Sequence, residues 1–245
     1  MAAAELAAVA DEVLQFLVPT ARVDVKVTAL QYFLGLTGTP EGRIFMRSSE
    51  KILIALFDLT SDPLPVITKD ALLAFLNLSA EEECSWKILN IEERNILPAW
   101  LKYVADKDSS HVDLVCMILS NVTRSERCCV KALEAIKKSV VTIDMLVDIF
   151  CHVGYNASGN MHYLGPVFSN LTQLVEVRQY ILKSDKERCI IQRLLAFTSF
   201  MESNVRRGGV IGAIRNCCFE SDYQRLASRK EVDILPPTTA ASGWT

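Results

Sequence analysis

Apolar residues recur three and four positions apart along most of this chain, and short polar turns separate the segments that carry the pattern. Leu72, Phe75 and Leu76 show the spacing, which lines up one apolar face along a helix. The turns at 61–65 and 106–110 contain residues that end one helix and begin the next. No segment alternates apolar and polar residues with a period of two. We therefore predict an all-α chain in which two helices are readable in each repeating unit.

One short segment, 71–79 (ALLAFLNLS), recurs in altered copies and is called the marker phrase. The other copies lie at 29–37, 114–123, 163–172 and 210–218. An Asn occupies the same place in four copies and Gly35 stands there in the first, so that successive copies are 42 to 49 residues apart. Armadillo and HEAT units have about 40–47 residues. The spacing therefore predicts a right-handed superhelical solenoid of about five armadillo/HEAT-like repeats.

The composition fits one long helical stack without a membrane segment. Of the 245 residues 50% are hydrophobic, 22% are charged, and no apolar run approaches the roughly 18 residues that a spanning helix needs. Because a solenoid has one continuous core, we predict a single repeat domain over 1–236 and an irregular tail over 237–245. The start of the chain carries Glu5 and Asp11 and no basic segment, which is not typical of a signal peptide. Free thiols are therefore expected for the eight Cys, and the expected location is the cytoplasm, with the nucleus as a second compartment.

Sequence motifs for catalysis and cofactor binding are absent, including Gly-rich phosphate loops and metal-binding His-Glu-x-x-His helices. The three histidines, His111, His152 and His162, are not followed by Glu, so the His-Glu pairs of a metal-binding HEAT-repeat hydroxylase are missing. Cys128 and Cys129 would point about 100° apart on a helix and cannot share one tetrahedral metal ion well. We expect no enzyme activity, no cofactor and no metal. The net charge of −3 argues against nucleic acid or membrane partners, which leaves protein.

A row of asparagines is the first candidate site. Equivalent faces of successive helices align in a repeat array, which predicts that Asn77, Asn121, Asn170 and Asn216 lie along one side. A side-chain amide has donors and an acceptor, so such a row can bind an extended peptide. The alternative is that each amide ties a helix end to the neighbouring unit, and both interpretations stay open. The row one turn earlier is mixed, as expected for a lining surface, and reads Gln31, Leu73, Met117, Pro166 and Gly212.

The fifth marker phrase begins beside the one concentrated basic segment of the chain. Arg206, Arg207 and Arg215 are the second candidate site, at which an acidic peptide can dock. The alternative is that the first two are solvated at a turn and Arg215 pairs with Glu220 or a neighbour. Glycines at 208, 209 and 212 weaken a helix by about 1 kcal/mol each, which predicts a close approach of another helix or of a ligand backbone.

The fourth unit contains the longest step and two local breaks. Pro166 has no amide hydrogen and should start or kink its helix. The segment 154–160 (GYNASGN) predicts an extended loop, and loops of this kind often carry contacts.

From about Phe16 to Pro236 the chain resembles the HGH homolog family of armadillo-like proteins. The phrases that carry the resemblance lie at 154–157, 162–164, 169–171, 205–210, 215–220 and 231–236. The resemblance implies a cytosolic adaptor that helps the chaperonin to fold newly made translation elongation factor 2 and that binds this client without hydrolysing anything. It supplies no mapped contact residues, so the Asn and Arg assignments rest on the repeat pattern alone.

The sequence departs from this family at its end. Family members continue with further helical repeats, whereas 237–245 lacks helical patterning, which indicates a shortened form. Because a solenoid needs polar terminal units, we expect an exposed apolar face on the last helix, with weak stability or self-association there.

A second functional hypothesis is an armadillo-type carrier that binds a linear peptide through the Asn row. The Trp that usually accompanies each such Asn in transport-type armadillo proteins is absent beside Asn77, Asn121, Asn170 and Asn216. The folding adaptor is therefore the leading hypothesis and the carrier is the alternative.

Overall fold

A computed structural model describes residues 3–183 and 189–219. These residues form fourteen α-helices and one 3₁₀ helix, and no strand occurs among them. The helices are α1 (Ala3–Leu14), α2 (Val23–Thr37), α3 (Pro40–Ser48), α4 (Glu50–Leu59), α5 (Pro65–Ser79), α6 (Glu82–Leu89), α7 (Ile96–Ala105), α8 (Val112–Val122), α9 (Glu126–Lys138), α10 (Ile143–Cys151), α11 (Leu164–Leu171), α12 (Val175–Leu182), α13 (Ile190–Leu195), the 3₁₀ helix Ala196–Ser199, and α14 (Asn204–Cys217).

Each complete unit contains three helices rather than the two that the sequence made readable. The units are α1–α3, α4–α6, α7–α9 and α10–α12, and a fifth begins with α13 and α14. The third helix was missed because it starts only a few residues after the marker phrase, as α6 does at Glu82 after α5 ends at Ser79. The first turn of α6, α9 and α12 contains acidic residues, which stabilise a helix N-terminus. In the sequence, the same residues are also typical of a polar turn between helices.

The five marker helices, α2, α5, α8, α11 and α14, stack on one another in chain order and form one row. The third helices α3, α6 and α9 stack in the same way in a second row. This arrangement confirms the predicted all-α solenoid, while the handedness of its superhelix stays a prediction. The proposed boundary at 236 and the tail 237–245 lie outside the described residues. None of the described helices is both long and apolar enough to cross a membrane.

Aromatic side chains mark the core shared by neighbouring units. Phe75 of α5 meets Trp100 of α7 edge-on with ring centroids 5.3 Å apart, and Phe150 of α10 lies with its ring centroid 5.0 Å from that of Phe197 in the 3₁₀ helix of the fifth unit. All four are at most 8% exposed. Full burial of side chains of this size contributes about 1.5–3 kcal/mol each, so every unit depends on its neighbours for its core.

Glycines bring α11 and α14 into backbone contact. A Cβ on Gly209 would lie 2.1 Å from the backbone carbon of Gly165, and one on Gly212 would lie 2.4 Å from Ser169 Oγ. The predicted close approach of another helix is therefore confirmed at these two positions. Gly208 differs, because a Cβ there would meet nothing within 4 Å.

The two breaks predicted in the fourth unit are both present. Pro166 lies in the first turn of α11, where its missing amide hydrogen is not needed, so it starts the helix and does not kink it. The loop before α11 reaches back to the third unit: Tyr155 Oη donates to Ala105 O at 2.6 Å, and Asn156 Nδ2 donates to Ser109 O at 3.0 Å. The contacts of this loop are therefore made within the chain.

Candidate protein-binding surface

The four asparagines of the predicted row, which follow one another from unit to unit, are called the ladder: Asn77, Asn121, Asn170 and Asn216. The ladder position of the first unit is Gly35. The amide nitrogen Nδ2 of each Asn donates to the hydroxyl that lies two positions after the ladder position of the preceding unit. The distances are 2.8 Å from Asn77 to Thr37, 3.1 Å from Asn121 to Ser79, 3.1 Å from Asn170 to Thr123 and 3.1 Å from Asn216 to Thr172. The predicted alignment of these side chains in one row is confirmed.

The recurring phrase Asn-apolar-Ser/Thr explains why this bond repeats. The hydroxyl lies at the end of a marker helix and donates its own proton to a carbonyl of that helix, as Thr172 Oγ1 does to Phe168 O at 2.9 Å. Its lone pairs are then available to the Asn of the next unit. One residue thus closes its own helix and accepts a hydrogen bond from the following unit.

The amide hydrogens of the ladder are largely used inside the fold. Asn170 Nδ2 also donates to Ser120 O at 2.9 Å, and Asn216 Nδ2 also donates to Ser169 O at 3.0 Å. Both hydrogens of these two amides are therefore engaged. Only the oxygen Oδ1 of each amide remains to accept a hydrogen bond from a partner. Of the two interpretations left open by the sequence, the tie between units is present in the structure, and peptide binding by the row stays a prediction.

Arg206 requires a correction to the predicted basic docking site. Its side chain is 2% exposed and therefore cannot meet a partner at the surface. The guanidinium lies 4.0 Å from the ring centroid of Phe150 and 4.6 Å from that of Phe197, and it donates to Asn160 O at 3.1 Å. Aromatic faces and carbonyls take the place of a carboxylate around this cation. Burial lowers the pKa of Arg206 from its usual value.

The other two predicted arginines are closer to solvent. Arg207 is half-buried and donates to Asn204 Oδ1 at 2.7 Å and to Phe200 O at 3.3 Å. Arg215 is exposed and makes no ion pair within the described residues. Its suggested partner Glu220 lies outside them. A partner protein can therefore reach Arg215 directly, whereas Arg207 would first have to leave its internal acceptors.

Arg124 was not singled out from the sequence and belongs to the same face. It follows Asn121 by three positions, is exposed, and donates through one guanidinium nitrogen to Asn121 Oδ1. Its carbonyl oxygen accepts a hydrogen bond from Gln173 Nε2 at 3.3 Å, which joins it to the end of α11. A basic residue three positions after a ladder Asn was the available signal, because this spacing lets its side chain reach back to the Asn across the end of α8.

The row one turn before the ladder lies at the surface, as predicted. Leu73, Met117 and Pro166 are half-buried and are called the inner strip. Gln31 is exposed and Gly212 half-buried at the two ends of this row. The inner strip is therefore an apolar line beside the polar ladder.

The last marker helix carries an open apolar face. Ile211 is 47% exposed, whereas Leu30, Leu72 and Cys116 at the same place in earlier units are at most 1% exposed, because the next marker helix covers them. Phe219 is 76% exposed beyond the end of α14. The exposed apolar side expected on the last helix is present in the described residues, and self-association through it stays a prediction.

A separate apolar groove lies between α9 and α12, where the stacking of third helices is interrupted. It has a volume of about 200 Å³ and is lined by Leu133, Ile136, Lys137, Thr142, Ile143, Glu176, Val177 and Tyr180. Lys137 Nζ and Glu176 Oε1 form an ion pair across it at 2.6 Å. Sequence reasoning missed this groove because it did not resolve the third helix of each unit.

Most of the cysteines are buried. All eight cysteines are free, and no group of three or more metal-ligating side chains that could hold a metal ion is found among the described residues. Burial raises the pKa of Cys84 to about 11 and that of Cys129 to about 12, which keeps both thiols protonated and unreactive at neutral pH. Burial lowers the pKa of His162, and nearby Arg206 lowers it further.

The family described as "Domain of unknown function (DUF383)" matches residues 103–239. The "Protein HGH1 homolog" of Danio rerio is 44% identical over 227 residues, which cover 93% of this chain and 59% of that protein. The chain belongs to this DUF383 family, and the HGH1 homologs are its similar relatives. The human "Protein HGH1 homolog" is 37% identical over 92% of the chain and 57% of its own length. The resemblance inferred from the sequence is thus confirmed, and the chain spans about three fifths of the length of these relatives.

The fold is also similar to solved repeat proteins. A structure described as "computationally designed armadillo repeat proteins for modular peptide recognition" matches with a TM-score of 0.66 over 84% of this chain and 80% of its own. A second, "Designed armadillo repeat protein YIII(Dq)4CqI", matches with a TM-score of 0.64. At 16% and 15% sequence identity these matches establish the armadillo-like fold of the chain and nothing about its ligands.

Proposed function

We propose that this protein is a non-enzymatic protein-binding scaffold, an adaptor that assists chaperonin-dependent folding of translation elongation factor 2 in the cytoplasm. One observation carries the proposal: five stacked marker helices present a continuous surface of polar and apolar side chains, on a chain of the HGH1 homolog family. A surface of this kind suits a large protein client better than a small molecule. The resemblance of the sequence to this family supports the identity of the client and of the chaperonin.

The test is capture of partners from cell extract. Tagged protein should retain translation elongation factor 2 and chaperonin subunits at a salt concentration that removes non-specific binders. A helical repeat protein of similar size and charge, carrying the same tag, is the control. Recovery of neither partner above this control would sink the adaptor hypothesis.

A second candidate function is an armadillo-type carrier that binds a linear peptide through the ladder. The alignment of the four asparagines in one row favours it, and the engaged hydrogens of Asn170 and Asn216 speak against it. Replacement of both Asn121 and Asn170 by Ala should abolish peptide binding by a carrier. An adaptor that uses other side chains would keep its client under the same change, provided that the variant stays folded.

No cofactor or metal enters this proposal, and nucleic acid and membranes are not proposed as partners. An enzyme is the least supported alternative. Metal analysis of the purified protein tests it, because stoichiometric iron or zinc would return a metal-dependent reaction to consideration.

A further inference from the structure

The face that carries the ladder and the inner strip also carries positive charge that the fold leaves uncompensated. Arg124, just after α8, and Arg215 of α14 are both exposed, and neither pairs with a carboxylate within the described residues. Arg124 uses one of its guanidinium nitrogens on Asn121 Oδ1, which leaves most of its five donors available. In a chain with a net charge of −3, two such arginines on one face are a local departure from the overall charge.

The acidic side chains on or beside this face are already engaged. Glu82 lines the same small pocket as Arg124, but its Oε1 forms an ion pair with Arg127 Nε at 3.3 Å. Asp113 lies in the first turn of α8 and accepts hydrogen bonds from the backbone nitrogens of Met161 at 2.6 Å and Asn160 at 3.2 Å. Arg124 lies two residues beyond the end of α8, and the helix from Asp113 to Val122 alone spans about 14 Å at 1.5 Å per residue. The positive edge of this face is therefore distinct from its acidic edge.

Apolar side chains lie beside the two arginines. Met117 and Pro166 of the inner strip are half-buried, and Gly208 of α14 has open space where a Cβ would be. The backbone of a bound segment can therefore come close to α14. Since the ladder amides spend their hydrogens inside the fold, recognition on this face falls to these side chains.

We propose that this face binds an extended segment of a partner protein that combines apolar and acidic side chains. The apolar groups pack on Met117 and Pro166, and carboxylates pair with Arg124 and Arg215. These arginines are separated by two interhelical steps of 8–10 Å, or about 16–20 Å, which an extended chain covers in about five or six residues. This inference rests on the proposed protein-binding function and specifies the chemistry of its partner.

The probe is a fluorescein-labelled synthetic peptide with two Glu about six positions apart and Leu and Val between them. One matched peptide carries Lys in place of Glu, and another carries Ser in place of Leu and Val. Fluorescence anisotropy should show the acidic apolar peptide binding about tenfold more tightly than either matched peptide, with affinity falling as salt rises. Equal binding of the Lys peptide or of the Ser peptide would overturn the proposal.

The variant Arg124→Glu/Arg215→Glu should bind the acidic apolar peptide about tenfold more weakly than the unmodified protein. Its control is Lys102→Glu/Lys138→Glu, which makes the same change in net charge at exposed positions on α7 and α9. Equal losses in both double variants would mean general charge attraction and would contradict the assignment. If circular dichroism shows the first variant unfolded, Arg124→Gln/Arg215→Gln takes its place with the same expected direction.

Capture from extract separates this inference from the proposed function. If the unmodified protein retains translation elongation factor 2 and the Arg124→Glu/Arg215→Glu variant retains it equally, the face assignment is wrong and the adaptor function stands. If the unmodified protein binds the acidic apolar peptide but retains neither elongation factor nor chaperonin, the face assignment stands and the adaptor function is wrong.

Discussion

We call the contact between two neighbouring units a joint. The first and the last joints among the described residues both contain a ladder hydrogen bond, but their other contacts differ. Between the first two units, Lys26 Nζ and Asp62 Oδ2 form a buried ion pair at 2.5 Å, and Lys26 also donates to Pro19 O at 2.9 Å. Between the fourth and fifth units, backbone packs on backbone at Gly165 and Gly209. The comparison teaches that the ladder hydrogen bond is common to both joints. The other contacts are specific to each joint, an ion pair in the first and a glycine contact in the last.

The ion pair of the first joint gives the largest expected effect. Lys26→Met should lower the free energy of unfolding by about 3–5 kcal/mol, because it leaves the carboxylate of Asp62 buried without its cation. Chemical denaturation followed by circular dichroism measures the change. Lys51→Met, at an exposed position of α4, is the control and should be close to neutral. A small loss in Lys26→Met would mean that this joint does not depend on the pair.

The glycine contact of the last joint comes next. Gly209→Ala should lower the free energy of unfolding by about 3 kcal/mol, because the added Cβ would press on the backbone of α11 and force the two helices apart. Gly208→Ala is the matched control one residue earlier. It should raise stability by about 0.5–1 kcal/mol, since an Ala fits the open space and favours the helix. Equal effects of the two changes on a thermal melt would refute the close contact.

The ladder should give an intermediate effect at either joint. Asn170→Ala removes two hydrogen bonds to the preceding unit and should cost about 1–2 kcal/mol. Asn77→Ala removes a single bond at a more exposed position and should cost less. Urea titration of the two variants provides the comparison, and the reverse order would contradict the contribution assigned to the second bond.

Acid should weaken the last joint slightly. The folded state holds the pKa of His162 below its unfolded value, so its stabilising effect is complete above the unfolded pKa and is lost as pH falls toward the lowered folded pKa. Stability should therefore fall as pH drops below about 6.5, the ordinary pKa of an unfolded histidine, and less so in His162→Gln. The same pH dependence in both proteins would assign it to other groups.

The marker phrase contained enough information to predict the repeat, the row of asparagines and the close approach at Gly209, because each follows from helical spacing and side-chain size. The third helix of each unit was not predicted, since its short acidic start resembles a turn. The burial of Arg206 was also missed. Its aromatic neighbours Phe150 and Phe197 come from two other elements, and nothing local to the Arg-Arg-Gly-Gly phrase reports their approach.

The same distinction applies to the candidate surface. Ladder positions repeat with the units and are therefore visible in the sequence, whereas the placement of Arg124 and Arg215 on one face depends on how three helices stack. Single positions of this kind carry no periodic signal. They emerge only when the alignment of α8, α11 and α14 is known.

The most direct test of the account is a double-mutant cycle between Asn170 and Thr123. Asn170→Ala and Thr123→Val each remove one side of the bond between the third and fourth units, and urea denaturation gives the free energy of unfolding of both variants and of the pair. If the ladder ties neighbouring units, the two changes should couple by about 1 kcal/mol, so that the pair costs less than the sum of its parts. Strictly additive effects would contradict the claim that this hydrogen bond joins the units.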